Sequence, residues 1–530
     1  MAKDAEAPQN WGLVPEATIW EHISAHVPKN APGIQPAGLA LPDGQDGVDA
    51  ASRPGSADGV RIVNRRVAQD GKAAEEVGGL MAAAISTRKP RAYDRLYERL
   101  CVSDPVTYVD KLLELIPSFR TPPERIYDLG RRLVTGSRHR APVKVGIALF
   151  GFFESGYHVD VVLTLARHEE FTYYVAKALG EGLEDPEPAL WQVARSVSGW
   201  GRVHAVCELA RKARRPDVLN WLLTRGFRND LGNEYLALPA AVGGKLMRAM
   251  SGHVVEDDLL DGAVDIVRGL LRGGPLGGMD DYEDGARVTA QVVSHLRTRA
   301  ATLRDVMALH EVDWFVRSGG NWEARAARGW TPEVRGMLSG VSAEVLAWPV
   351  WASAVHDDLK SDDDEIFLDA AEAAGFLGVD AMAALLRRLQ ARPFDQDAWY
   401  LVMRSLDDSR ADVVIAAAVD RLPLAEISAG PMASMGGALD PAAYTAVDVV
   451  LAGLARFPGK GWPIVKAGID SGNIRNRNFA LRALDRWGRA AWPADAEAAL
   501  REQAAKEPEL EVKKRIERLL AGQPLEQATR

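Results

Sequence analysis

The stretch Asp470 to Trp487, DSGNIRNRNFALRALDRW, constrains this chain most. It reads as a turn followed by one compact helix. Arg477, Ala480, Leu481 and Leu484 stand at i, i+3, i+4 and i+7. That spacing puts one polar anchor and three apolar residues on a single helical face. The frame returns elsewhere. Lys144 is followed by Ile147, Ala148 and Gly151, and Arg202 by Ala205, Val206 and Leu209. Lys513 is followed by Ile516 and Leu520, with Gly522 beyond the end, and a looser copy runs from Glu365 to Gly378. Such recurrence predicts one unit of a stacked helical array, repeated along the chain.

A basic residue just inside a second helix, then small and aliphatic residues, then Leu or Gly, resembles the HEAT-like α-solenoid repeat. Lys144, Arg202, Arg477 and Lys513 are the matching positions. The resemblance implies stacked antiparallel helix pairs with a curved surface. Composition points the same way: Ala and Leu are abundant and alternating β-branched runs are few, so helix is favoured over strand. The expected fold is all-α, a HEAT-like α-solenoid of stacked helical hairpins with an irregular N-terminal arm.

The arm covers residues 1–60. Trp11 and Trp20 flank a short possible helix, and Pro28 to Gly59 is a run of Pro, Gly, Asp, Ala and Ser without periodicity. An N-terminal helical-repeat array is expected over 61–272, where short amphipathic segments stop at Pro117 and Gly136. The segment 273–285, GGPLGGMDDYEDG, reads as a Gly/acidic hinge loop. A C-terminal HEAT-like array follows over 286–530. Within it, His356 to Glu365 is an acidic loop expected to cap the next helix.

The formal net charge of −9 argues against broad, non-specific nucleic-acid binding. Cys101 and Cys207, two thiols far apart, make neither a disulfide framework nor a Cys-rich metal site. No apolar run approaches the roughly 20 residues that span a bilayer. The N-terminus lacks the charged-then-apolar layout of a signal peptide. The expectation is a cytoplasmic protein with no membrane partner.

A second resemblance covers Phe150 to Tyr235. The block FGFFESGYHVD, WQVARSVSGWGRVHAVCELA and WLLTRGFRND resembles a family of poorly characterised bacterial proteins sometimes labelled limonene hydroxylase. That label implies a cofactor-dependent oxidoreductase. The residues themselves carry no GxGxxG after a strand, no GxSxG, no phosphate loop, no CxxC and no Cys in a haem-ligand context. No cofactor is therefore expected from them. Glu154 and His158, at i and i+4, would share a face if that segment were helical, with Asp160, His168, Glu169 and Glu170 following. There is no HExxH or repeated ExxH pair, and no metal site is expected.

The most distinctive cluster is Trp200, Arg202, His204, Arg228, Asn229 and Tyr235, with Glu208, Trp221 and Arg225 among them. Aromatics mixed with arginines suit the anchoring of a partner peptide, and also stacking on a base or holding a phosphate. Equally, Arg202 can cap a turn while the tryptophans fill space between helices. Two basic groups, Arg125 to Lys144 and Arg211 to Arg228, keep a nucleic-acid-binding HEAT-like protein as an alternative. Five tryptophans, Trp314, Trp322, Trp330, Trp348 and Trp351, make either an aromatic pocket or packed core. The leading expectation is a non-catalytic scaffold that binds a protein partner, with the six cluster residues as its contact surface. Charge reversal of Arg228 is then expected to weaken binding without unfolding the chain.

Overall fold

The computed structural model describes residues 17–29, 31–44, 54–64, 67–154, 158–252, 255–432 and 439–525. The expectation placed on Trp11 lies outside them. Helices are the regular structure of these residues. No β-strand occurs among them, and their one extended pairing is the isolated bridge between Gly274 and Gly277. The chain divides into two compact units. Of the described residues, the first holds those up to 300 together with 308–345; the second holds 301–307 and those from 346 onward. The glycine-rich 273–285 segment sits inside the first unit. There Met279 donates its amide to the Leu270 carbonyl at 2.7 Å, and Met279 and Tyr282 are buried.

Each unit is built in two layers. In the first, Arg140–Leu149, Glu169–Gly182, Gly199–Lys212 and Ala237–Gly243 lie side by side. Behind them stand Pro123–Gly136, Val159–Leu165, Glu187–Ser196 and the π-helical turn Leu222–Gly226, each packed on the front helix that follows it. In the second unit the front row is Asp364–Leu377, Gln396–Ser405, Pro441–Leu454, Ile474–Trp487 and Leu510–Leu520. Val350–Asp358, Met382–Ala391, Trp462–Ile469 and Ala496–Lys506 each back the front helix that follows. This is an α-solenoid of helical hairpins in both units.

The repeated frame explains the stacking. Ala480, Leu481 and Leu484 are buried, as are Ala205, Val206 and Leu209 in the Arg202 copy. Small residues let the layers close: a Cβ added at Gly468 would come 3.1 Å from the Ala480 Cβ and 2.8 Å from Leu451. The last copy departs from the expected register. Val512, Ile516 and Leu519 form the buried stripe of Leu510–Leu520, and Leu520 is only half-buried.

A buried cation survives in such a place only if it is paired and hydrogen-bonded. Arg477 is 1% exposed and meets that condition. It donates to the carbonyls of Ser471, Gly472 and Met432 at 2.9, 3.2 and 2.9 Å, and forms an ion pair with Glu507 at 2.9 Å. Glu507 lies in the turn before the next front helix, so the cation ties one repeat to its successor. Lys144 repeats the device in the first unit, with its Nζ 2.5 Å from Glu170 at the start of the next front helix. Arg202 uses carbonyls instead, donating to Ala194 and Arg225 at 3.2 and 2.8 Å.

The described residues of the N-terminal arm carry two α-helices. Ile19–His26 starts at a capping box between Thr18 and Glu21 and buries Ile19 and Ile23 against Pro123–Gly136 and Val159–Leu165. Ser56–Val63, hidden in the sequence by its small and polar composition, lies on the front row against Glu169–Gly182 and Gly199–Lys212. In the second unit Asp363 caps Asp364–Leu377, accepting from the amides of Glu365 and Ile366 at 2.9 and 3.1 Å. That is the role expected of the acidic loop. The tryptophans divide: Trp330 and Trp351 are buried, whereas Trp314 is 66% exposed.

Candidate functional site

The front row of the first unit has an open face, and the arm helix Ser56–Val63 crosses one end of it. Between this helix and the front helices runs a groove of about 910 Å³. Ile62 comes from the arm, Tyr173 and Lys177 from Glu169–Gly182, His204 from Gly199–Lys212, and Leu238 and Val242 from Ala237–Gly243. Val242 is 60% exposed.

Close packing holds the arm helix in place. A Cβ at Gly59 would lie 2.6 Å from the Trp200 ring, so only glycine lets the helix sit this low. Below it is a closed charge network. The Lys144 ammonium donates to Asp58 at 2.8 Å and to Glu170 at 2.5 Å, and the Tyr174 hydroxyl donates to Asp58 at 3.1 Å. Arg140 forms a two-pronged pair with Asp43, at 2.9 and 2.8 Å, and stands 3.6 Å from Glu170. Burial opposes the charge on Lys144, but Glu170 and Asp58 together outweigh it and its pKa rises. Burial also opposes the charge on Asp58; Lys144 outweighs it and holds the carboxyl below its ordinary value. Both ions therefore stay charged.

Two titratable groups of the groove, His204 and Cys207, are kept neutral. Burial pushes the His204 imidazole down to about 4, against a weaker pull from Asp58. Burial pushes the Cys207 thiol up to about 12. A thiol held there is protonated at neutral pH and is a poor nucleophile. Among the described residues no group of three His, Cys, Asp or Glu side chains is placed to hold a metal ion. The premise of a shared helical face for Glu154 and His158 does not hold: Glu154 lies outside any helix, and the His158 ring stacks on Phe150 at 4.5 Å.

The six residues singled out in the sequence gather around the start of Gly199–Lys212, but most spend their polar groups on the protein. His204 lines the groove and meets Tyr173 edge-on at 5.1 Å. Trp200 is buried beneath Gly59, and Tyr235 stands edge-on to it at 5.6 Å. Asn229 donates to the Gly199 carbonyl at 3.2 Å. Arg202 caps carbonyls and lies over Trp221 at 5.4 Å. Arg228 pairs at 2.9 Å with Asp265, whose side chain is 5% exposed. Reversing Arg228 would face a buried carboxylate with a second one, so the expectation that this change spares the fold is corrected. Of the second basic group, Arg211 pairs with Glu208 and Arg215 with Asp217. Sequence reading missed Leu238 and Val242; nothing in the spacing of LPAAVGG sets them apart from core residues.

No family model matches the chain, and no curated protein matches it. Among solved structures, one chain it is similar to is described as "Circular tandem repeat protein with novel repeat topology and enhanced subunit contact surfaces". That chain is 11% identical, the match covers 87% of this chain and 96% of that one, and the TM-score is 0.17. The repeat fold stands on the helix packing itself. No single helix among the described residues is long and apolar enough to cross a membrane.

Proposed function

We propose that this chain is a non-catalytic helical-repeat scaffold that holds an apolar segment of a protein partner in the groove of its first unit. Val242 carries the reading: an aliphatic side chain 60% exposed on an ordered helix, beside Leu238 and within a groove of about 910 Å³. Lys177, Glu181, Arg211 and Lys245 edge the same groove. An apolar floor with a mixed charged rim is the anatomy of a partner interface. Covering the valine contributes on the order of 1.5 kcal/mol. Of the six sequence candidates, His204 would touch the partner, while Trp200, Arg202, Arg228, Asn229 and Tyr235 hold the floor in shape. The neutral imidazole and thiol favour binding over acid–base chemistry. No observation favours the oxidoreductase or nucleic-acid readings over this one.

The test uses the full tagged chain with a photo-crosslinking residue at Val242, and separately at Val102, which is 82% exposed and outside the groove. Each protein is irradiated in its native lysate with and without nuclease. A protein adduct formed at Val242, absent at Val102, kept after nuclease and lost in a His204→Glu background is the expected result. Equal labelling at both positions refutes the groove. Loss on nuclease treatment moves nucleic-acid binding to first place.

A further inference from the structure

The second unit carries its own groove of about 380 Å³, on the open face of Gln396–Ser405, Pro441–Leu454 and Ile474–Trp487. The residues that face it recur at helical spacing. Tyr400 is followed one turn later by Arg404, and Arg475 precedes Phe479 by one turn; Arg482, at i+3 from Phe479, stands beside the groove rather than among the residues that line it. The middle strip runs Thr445, Val449 and Ala452, then Arg456 just beyond its helix. Spacings of three and four residues put these groups on one stripe of each helix. This row therefore presents aromatic and aliphatic surface with a guanidinium beside it on every helix. Tyr400 is 55% exposed, and the Arg482 guanidinium lies over Phe479 at 5.6 Å.

The charge of the groove is unbalanced. Arg404, Arg456 and Arg475 line it against a single carboxylate, Asp448. Asp448 is already engaged: Arg475 stands 3.0 Å from it and Asn476 donates to it at 2.6 Å. Arg404 reaches Glu372 only at 3.4 Å, with its side chain 57% exposed, an arrangement worth little in water. Exposed arginines beside the exposed Tyr400 and the half-buried Phe479 offer forked donors for carboxylates next to an apolar seat.

We infer that this face docks an acidic peptide segment of another protein, its carboxylates on Arg404, Arg475 and Arg482 and one apolar side chain between Tyr400 and Phe479. The site is independent of the first unit's groove, because its residues and its partner chemistry are different. A groove of this size admits one or two side chains, so the apolar anchor sets the register and the arginines set the charge preference. Rim charges of this kind steer association and make it salt-sensitive.

Fluorescence anisotropy of the full chain with labelled peptides tests the inference. The set varies two properties independently: glutamate-rich against lysine-rich flanks, and a central Phe or Leu against Ala. Acidic peptides with an apolar centre are expected to bind best, with both properties required and with affinity falling as salt rises. Arg404→Glu with Arg482→Glu is expected to lower that affinity by about 10-fold or more. Tyr400→Ala is expected to erase the preference for Phe over Ala. Circular dichroism confirms the helical fold of each variant, and crosslinking at Val242 is expected to be unchanged in all of them. The inference is overturned if lysine-rich peptides bind as well as acidic ones, or if the double charge reversal leaves affinity unchanged. It is equally overturned if sedimentation shows that these substitutions abolish self-association, since the face would then be a contact between copies.

Discussion

Replacing Arg477 with Met keeps most of the side-chain volume and removes the whole guanidinium fork. Five contacts go with it: carbonyls at Ser471, Gly472 and Met432, and both oxygens of Glu507. What remains is a carboxylate with 0% side-chain exposure, held among the described residues by the Gln503 amide at 3.0 Å and the Glu509 backbone amide at 3.0 Å. Removing one partner of such a buried pair costs about 3–5 kcal/mol, because the other charge stays behind without water. A repeat array need not unfold in one step, so a single melting midpoint would blur the effect. Hydrogen exchange read by mass spectrometry resolves it locally. Since about 1.4 kcal/mol is a factor of ten, protection over Ile474–Trp487 and Leu510–Leu520 should fall by roughly two to three-and-a-half decades. Arg140–Leu149 in the first unit should not change. Arg477→Met combined with Glu507→Gln should recover part of the loss, since no charge is then stranded. A loss below about 1 kcal/mol, the worth of an exposed pair, would refute the reasoning that this cation fastens neighbouring repeats.

Two further predictions rest on the same physics. Gly59→Ala places a methyl 2.6 Å from the Trp200 ring and should lift Ser56–Val63 from the front row, costing about 1–3 kcal/mol of local stability; tryptophan fluorescence and hydrogen exchange over the arm helix report it, and unchanged exchange there would refute the close approach. Burial raises the Asp448 carboxyl to about 6, above the opposing pulls of Arg475 and Asn476. A folded pKa above the unfolded value of 3.8 means stability that is fully present below about pH 4 and lost as pH rises through about 6. The size is on the order of 3 kcal/mol. Urea stability of the second unit should therefore rise between about pH 7 and pH 5 in the wild type and rise less in Asp448→Asn; parallel profiles would refute it.

The helical frame was legible because it is local. Ala480, Leu481 and Leu484, or Ala205, Val206 and Leu209, share a face by backbone geometry alone, whatever packs on that face. Composition likewise sufficed for an all-helical chain, and the acidic loop before Asp364 announced a cap whose partner is two residues away. The failures are long-range. The carboxylate that satisfies Arg477 is 30 residues further on, and the one from the arm that satisfies Lys144 is 86 residues back. No periodicity encodes either. Arg202, in the same frame, settles on two carbonyls instead, so the frame specified a cation without specifying its partner.

The candidate sites divide the same way. Sequence reading found the aromatic and basic residues around Trp200 but not that Arg228 and Asn229 are consumed by Asp265 and the Gly199 carbonyl. It passed over Val242, because an aliphatic residue on a short helix looks like core until the neighbours that would cover it prove absent. It passed over Arg404 and Phe479, which stand 75 residues apart in the chain and meet at one groove only when the front helices stack. By itself the sequence determined the helices, their buried stripes and the repeat, since those follow from spacing within a few turns. Only the tertiary structure decided which charges are paired and which apolar surfaces stay open. Both depend on what the rest of the chain brings within a few ångströms, and that distance is not written in any one segment.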